Sequence, residues 1–223
     1  HGRMSESAAG IPGVLLAGGR ATRMGGGDKG RRVVAGRSLL DHAIARLAPQ
    51  AEPLALNANG EPSRFADLGL PVISDSVAGH PGPLAGVLAG LDWAADLGAP
   101  RIVTAAADTP FFPADLVARL VDAADAAGAP IALAATPDPV KGRVRHPTFG
   151  LWSTALRDDL RAALREGVRK VVIWTDGHGA VDALFDAAPG ADPFFNVNTP
   201  EDLAAAEARA DALSGEKSGA RAP

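Results

Sequence analysis

The sequence predicts an α/β protein, a three-layer α/β/α sandwich around a mostly parallel, Rossmann-like sheet. Short apolar runs alternate with longer segments whose apolar residues recur at helical spacing. Alternating strands and helices imply parallel pairing through right-handed crossovers. In addition, four of the apolar runs end in small or polar residues, and open parallel sheets bind ligands at the carboxyl ends of their strands.

The first half of the chain supplies most of the predicted elements. GVLLAG is short, apolar and ended by glycine, as is typical of a buried parallel strand. Helical stripes with Ser38 as an N-cap and Gly128 as a terminator mark two of the predicted helices. The predicted strands are 13–18, 52–59, 70–76, 101–108 and 130–136, and the predicted helices are 38–48, 83–98 and 112–128.

The pattern is looser after residue 136. Residues 137–152 are expected to form a polar loop that returns to an apolar segment, and 154–167 to form an amphipathic helix. A last helix is expected to start with Thr199 as its cap, Pro200 at the first position and Asp202 three residues after the cap.

The length of 223 residues suits one domain, which we place at 11–213. Residues 1–10 are interpreted as a tag remnant and a flexible N-terminus, and 214–223 as a flexible tail without apolar content. The first residues lack the apolar core of an export signal, so a cytoplasmic location is expected.

Composition excludes several classes of function. The formal charge of −4 gives no overall attraction to nucleic acid, and no apolar stretch is long enough for a membrane span. The absence of cysteine excludes disulfides and thiolate metal sites.

A glycine-rich stretch follows the first strand. Its exposed backbone N–H groups and positive charges suit an anion such as phosphate, whereas a solvated loop is the plain alternative. A Walker A loop is excluded because Lys29 is followed by Gly30. The G-x-G-x-x-G spacing starts too far beyond Ala17 for a dinucleotide fingerprint, which leaves a nicotinamide-dependent oxidoreductase as a minor alternative.

This stretch resembles the signature of the nucleotidyltransferases, and within them the molybdenum cofactor guanylyltransferases. The match reads LAGG-RAT-RMGG-G-DKG, and it is followed in family order by NAN, SDS, PGPLAG, DTP, HPT and NVNTPEDL. It covers nearly all of the chain from Gly13 to Leu203. The one departure is RRVV after DKG, where relatives usually carry apolar or acidic residues.

The resemblance implies a nucleotide-diphospho-sugar transferase-like fold and a Mg²⁺-dependent reaction. The terminal phosphate of molybdopterin, with or without molybdenum, would attack the α-phosphorus of GTP and release pyrophosphate. A monomer is expected. The family further implies transient contact with a molybdenum-insertion protein and client-enzyme chaperones.

Roles follow where residues match the family. Nucleotide binding is implied for Leu16, Ala17, Gly18, Gly19, Lys29, Asn57, Asp75 and Asp108. Lys29 and Arg23 would bind phosphates, and Asp108 would hold Mg²⁺. The plain alternatives are a helix cap for Asp108, a turn for Asp75 and a strand end for Asn57.

The acceptor site is less specific. Candidate residues are Gly82, Arg143, Arg145, His146, Asn196 and Asn198. A plain turn, a solvated basic loop and local structural contacts are the respective alternatives.

Three functional alternatives stay open. A sister enzyme would transfer CMP to the same acceptor, although LAGG favours GTP. The NAN, PGPLAG and NVNTPEDL blocks argue against a sugar-phosphate nucleotidyltransferase. A catalytically silent nucleotide-binding module is disfavoured because Lys29 and Asp108 are both present.

Overall fold

The computed structural model describes residues 10–17, 29–79, 82–168, 170–187 and 191–219. The strands in these ranges are β1 (Gly13–Leu16), β2 (Val33–Val34), β3 (Arg37–Ser38), β4 (Leu54–Asn57), β5 (Val72–Ile73), β6 (Arg101–Ala106), β7 (Ile131–Asp138), β8 (Gly142–Ser153) and β9 (Val181–Leu184). The α-helices are α1 (Leu39–Leu47), α2 (Leu84–Asp96), α3 (Leu116–Ala127), α4 (Arg157–Arg165), α5 (Val171–Gly177) and α6 (Pro200–Gly219). Short 3-10 helices cover Lys29–Arg31, Pro62–Leu68 and Thr154–Leu156.

Seven strands form one sheet in the order β5-β4-β1-β6-β8-β7-β9. Their pairings are parallel except those of β8, which runs antiparallel to both β6 and β7. Neighbouring side chains of β1 serve the two faces: Leu15 joins the core beneath α1 and α3, and Val14 joins the core beneath α2 and α4. The mostly parallel α/β/α sandwich that the sequence predicts is therefore confirmed.

Helix ends follow the predicted caps. The Ser38 hydroxyl accepts a hydrogen bond from Asp41 N (3.0 Å), and Gly128 ends α3 in the left-handed conformation at φ +60°. Thr199 and Asp202 form a reciprocal capping box at the start of α6.

The expectation of a loop over 137–152 is wrong. Most of this segment is β8, which forms a hairpin with β7. Ion pairs to Asp182 on β9 balance the charges of Arg143 and Arg145 on the strand. A register shift opposite Leu133 and Ala134 interrupts the regular alternation of side chains, and this hides the strand in the sequence.

The C-terminal helix reaches back to the beginning of the chain. Val34 and Leu39 share a small core with Ala206 and Ala210 of α6. α6 continues to Gly219, into the tail for which composition predicts no structure, because extending a helix adds backbone hydrogen bonds without needing apolar side chains.

Candidate nucleotide site

The carboxyl ends of three strands lie side by side. Leu16 is in register with Asn57 of β4 and with Ala106 of β6. Beyond the strand, Ala17 N donates to the Asn57 carbonyl oxygen at 2.9 Å, and Ala107 N donates to the Leu16 carbonyl oxygen at 3.1 Å. Leu16 and Ala17, which precede the glycine-rich stretch, are thus held between β4, which leads to Asn59, and β6, which leads to Asp108.

Asp75 lies at a corner built with two asparagines. Its Oδ1 accepts from Asn57 Nδ2 at 3.0 Å, and its Oδ2 accepts from Asn59 Nδ2 at 2.9 Å. Asn59 Oδ1 also accepts from Asp75 N at 2.9 Å. A carboxylate has about four acceptor positions, so each oxygen keeps one position for a further donor. We call Asn57, Asn59 and Asp75 the amide corner.

Asn57 is held tightly because it is only 2% exposed. Its Nδ2 also donates to the Ile73 carbonyl oxygen at 3.2 Å, so both amide hydrogens have acceptors. The first turn of α2 passes directly behind it at Gly86. A Cβ on Gly86 would lie 3.0 Å from Leu16 Cδ2 and closer still to Asn57 Oδ1. Gly86 therefore leaves the space that Asn57 occupies.

Asp108 is half-buried two residues beyond β6. Its carbonyl oxygen accepts from Val197 N at 3.0 Å. The Thr109 hydroxyl lies 3.3 Å from Asp108 Oδ1 and 2.6 Å from Asn196 Oδ1. The structure thus brings Asn196 beside Asp108, although 88 positions separate them in the numbering. α3 begins only at Leu116, so Asp108 does not cap it.

The basic residues predicted for the acceptor have protein partners. Arg145 Nε and Nη1 bind Asp182 Oδ1 and Asp176 Oδ1, each at 2.6 Å, and Arg143 pairs with Asp182. Burial opposes the charged form of Arg145, but its hydrogen bonds to the two carboxylates raise its pKa above the usual value. The role of Arg143 and Arg145 toward an acceptor stays a prediction.

His146 lies on β8, near the same edge of the sheet. Its Nε2 is 2.8 Å from Thr136 Oγ1, and its ring stacks on Phe194 with 4.5 Å between centroids. Burial lowers the pKa of His146, and the charge of Asp192 opposes that effect. The imidazole of His146 consequently stays neutral down to a lower pH than the imidazole of a free histidine does.

Several predicted residues lie outside the described structure. They are Gly18, Gly19 and Arg23, together with the side chain of Lys29, whose backbone begins the 3-10 helix Lys29–Arg31. Gly82 has φ +93°. Asn198 N donates to Asp202 Oδ2 at 3.0 Å and thereby takes part in the start of α6.

Three residues of the site carry roles that sequence reasoning missed: Asn59, Gly86 and Thr109. Each lies inside a block that the family resemblance quotes, namely NAN, PGPLAG and DTP. The blocks are the only signal in the sequence, because the roles depend on contacts between separate segments.

Comparison with known proteins decides the family. The MobA-like NTP transferase domain matches residues 13–179. The chain belongs to this family. A MobA-like relative named molybdenum cofactor guanylyltransferase from Bradyrhizobium sp. is 54% identical over 91% of this chain and 94% of its own. A protein of the same name from Nitrobacter hamburgensis is 48% identical over 91% and 95%.

Solved structures support the MobA-like fold. Molybdopterin-guanine dinucleotide biosynthesis protein A from Archaeoglobus fulgidus matches with a TM-score of 0.69 and 21% identity over 90% of this chain and 99% of that one. The 2-C-methyl-D-erythritol 4-phosphate cytidylyltransferase from Thermus thermophilus matches with a TM-score of 0.63 and 23% identity over 89% and 98%. At this identity the likeness concerns the fold.

Proposed function

We propose that this protein is a molybdenum cofactor guanylyltransferase, which transfers GMP from GTP to molybdopterin or its molybdenum-loaded form. Relatives with that name are about half identical over nine tenths of the chain, and this observation carries the proposal. The amide corner supports GTP over CTP. Guanine presents two adjacent N–H donors on one edge, and the Asp75 carboxylate retains one acceptor position on each oxygen.

The reaction needs no protein nucleophile. A phosphate oxygen of the acceptor forms a bond to the α-phosphorus of GTP, and the bond from that phosphorus to the leaving pyrophosphate breaks. Catalysis of this kind depends on positioning and on neutralising charge. Leu16 and Ala17 would position the nucleoside through their backbone, and Lys29 and Arg23 would bind the triphosphate.

The residues present fit a magnesium ion at Asp108. Mg²⁺ is usually held by one or two carboxylates together with substrate phosphates and water. In the described ranges, no group of three or more His, Cys, Asp or Glu is placed to hold a metal alone. Asp108 would therefore share the ion with the triphosphate. When bound, the ion would neutralise charge on the phosphate groups.

The acceptor and the cellular setting complete the proposal. Asn196 lies beside Asp108 through Thr109, so it is the best-placed of the predicted acceptor residues. None of the helices in the described part of the chain has the length and apolar composition to cross a membrane. A cytoplasmic monomer that passes its product to molybdenum-insertion proteins and client chaperones is part of the proposal.

Calorimetric titration with GTP, CTP and ATP, each with Mg²⁺, tests this function. Preference for GTP, followed by pyrophosphate release when molybdopterin is added, is the expected result. Preference for CTP would assign the protein to the sister reaction. Tight GTP binding without any transfer to molybdopterin would indicate a silent nucleotide-binding module.

A further inference from the structure

The glycine-rich stretch ends in a clamped stem, the 3-10 helix Lys29–Arg31. Arg31 forms a bidentate ion pair with Asp67, with Nη1 2.8 Å from Oδ2 and Nη2 2.7 Å from Oδ1. Nη2 also donates to the Arg64 carbonyl oxygen at 2.8 Å. On the other side, a Cβ on Gly30 would lie 2.6 Å from Leu40 Cγ, so the stem is pressed against α1. Arg31 is the first residue of RRVV, which departs from the family pattern.

The contacts continue from the stem to the amide corner. Arg64 Nη2 donates to the Asn59 carbonyl oxygen at 3.0 Å. The guanidinium groups of Arg31 and Arg64 both lie over the ring of buried Phe65, at 5.4 and 5.0 Å from its centroid. Asn59 in turn binds both the backbone N–H and the carboxylate of Asp75. Side chains of two arginines and an asparagine thus join the phosphate-side stem to the base-side carboxylate.

We propose that Arg31, Arg64 and Asn59 are positioning residues that fix the distance between the triphosphate-binding stem and the amide corner. This inference rests on the proposed function, because it assigns the base to Asp75 and the triphosphate to Lys29 in the stem. The three residues act through others and need not touch the nucleotide.

The physical reason is that GTP must engage both ends at once. When two subsites are held at the right spacing, binding at one makes binding at the other effectively intramolecular. A stem that is already held in place also costs less ordering on binding. The pair Arg31 and Asp67 is exposed, at 31% and 63% of the side chains, and such pairs add little to stability. Loss of the Arg31–Asp67 pair is therefore expected to change GTP affinity more than the free energy of unfolding.

A matched variant makes the test specific. Arg101 and Asp125 form an ion pair of nearly the same exposure, 26% and 61%, at the start of β6 and so at the opposite edge of the sheet. We would compare Arg31→Met and Arg101→Met with the unaltered protein. The probes are GTP, which spans both subsites, guanosine, which reaches only the base side, and inorganic tripolyphosphate, which reaches only the phosphate side. Binding is measured by calorimetry with Mg²⁺, alongside thermal unfolding.

Arg31→Met should weaken GTP binding about tenfold, which corresponds to about 1.4 kcal/mol, and change guanosine and tripolyphosphate by less than about twofold. Arg31→Lys should weaken GTP binding less than Arg31→Met does, but still measurably, because an ammonium group cannot form the bidentate ion pair with Asp67. Arg101→Met should leave all three probes unchanged.

The positioning role is wrong if Arg31→Met weakens guanosine as strongly as GTP, or affects GTP no more than Arg101→Met does. Failure of the proposed function has a different signature, namely preference of the unaltered protein for CTP. The same comparison with CTP and cytidine would then decide the positioning role by itself. An unaltered protein that binds no nucleoside triphosphate would overturn both.

Discussion

Substitution of Gly86 by alanine isolates the contribution of Asn57 to the site. The added Cβ would collide with Asn57 Oδ1 and press on Leu16 Cδ2 at 3.0 Å. Asn57 is nearly fully buried, so its side chain has no free space into which it can retreat without breaking its hydrogen bonds to Ile73 and Asp75. The amide corner should therefore be distorted.

The cost to stability can be worked from these contacts. Overpacking in a core costs about 1–3 kcal/mol, and two lost hydrogen bonds cost about 1 kcal/mol each. The higher helix propensity of alanine returns about 1 kcal/mol. A net loss of about 2–4 kcal/mol corresponds to a Tm lower by about 4–16 °C for a chain of this size.

Gly90, one turn along α2, supplies the control. A Cβ there would meet Ile102 Cδ1 at 2.7 Å and Val14 Cγ2 at 3.0 Å, both apolar atoms away from the amide corner. Gly90→Ala carries the same gain in helix propensity and a similar collision. Both variants should melt earlier in thermal denaturation. Only Gly86→Ala should lose GTP affinity in calorimetry, by about tenfold or more, since a lost hydrogen bond to a charged group costs about 1.5–3 kcal/mol. Equal GTP affinity of the two folded variants would refute the link between Gly86, Asn57 and the nucleotide.

Three further predictions concern titration, the metal and an ion pair. Asp108→Asn should abolish Mg²⁺-dependent GMP transfer while the melting curve changes little, and retained turnover with unchanged Mg²⁺ dependence would remove Asp108 from the metal site. The pKa of His146 is lower in the folded chain than its ordinary 6.5. The contribution of neutral His146 to the free energy of unfolding is therefore complete above pH 6.5 and should decline as the pH falls from there through the folded pKa. His146→Gln should flatten that decline in unfolding measured against pH, and an unchanged slope would contradict the assignment. Arg145→Met should lower the free energy of unfolding by about 1.5–3 kcal/mol, because the partly buried Asp182 loses a charged hydrogen bond. A stable variant with weak acceptor binding would instead favour the role predicted from the sequence.

The sequence predicts the β-α alternation well because each parallel strand is buried on both faces. Such strands appear as short apolar runs ended by glycine or polar residues, and β1, β4 and β6 follow this rule. The same logic places Leu16, Asn57 and Asp108 at one edge, since the carboxyl ends of parallel strands meet there. β8 escapes prediction because an antiparallel, charged and bulged strand shows neither pattern.

Contacts between distant segments account for what sequence reasoning could not find. The charges of Arg143 and Arg145 predict an anion site, but their partner Asp182 lies on β9 and becomes visible only in the folded chain. Gly86 looks like an ordinary glycine in an apolar helix until Asn57 is seen against it. The departure at Arg31 likewise acquires a partner only when the 3-10 helix Pro62–Leu68 is folded beside it.

The packing of α6 on the β2–β3 hairpin has a consequence for the order of events on the ribosome. Ala35, at the tip of that hairpin, has φ +51°, and its N–H donates to Glu207 Oε1 on α6 at 2.9 Å. Val34 beneath it is covered by Ala206 and Ala210. At synthesis rates of about 5–20 residues per second, roughly 10–35 s separate the emergence of the two segments. A nascent chain therefore carries the hairpin uncovered until α6 has emerged, and premature termination before α6 would leave an apolar surface available to chaperones and proteases.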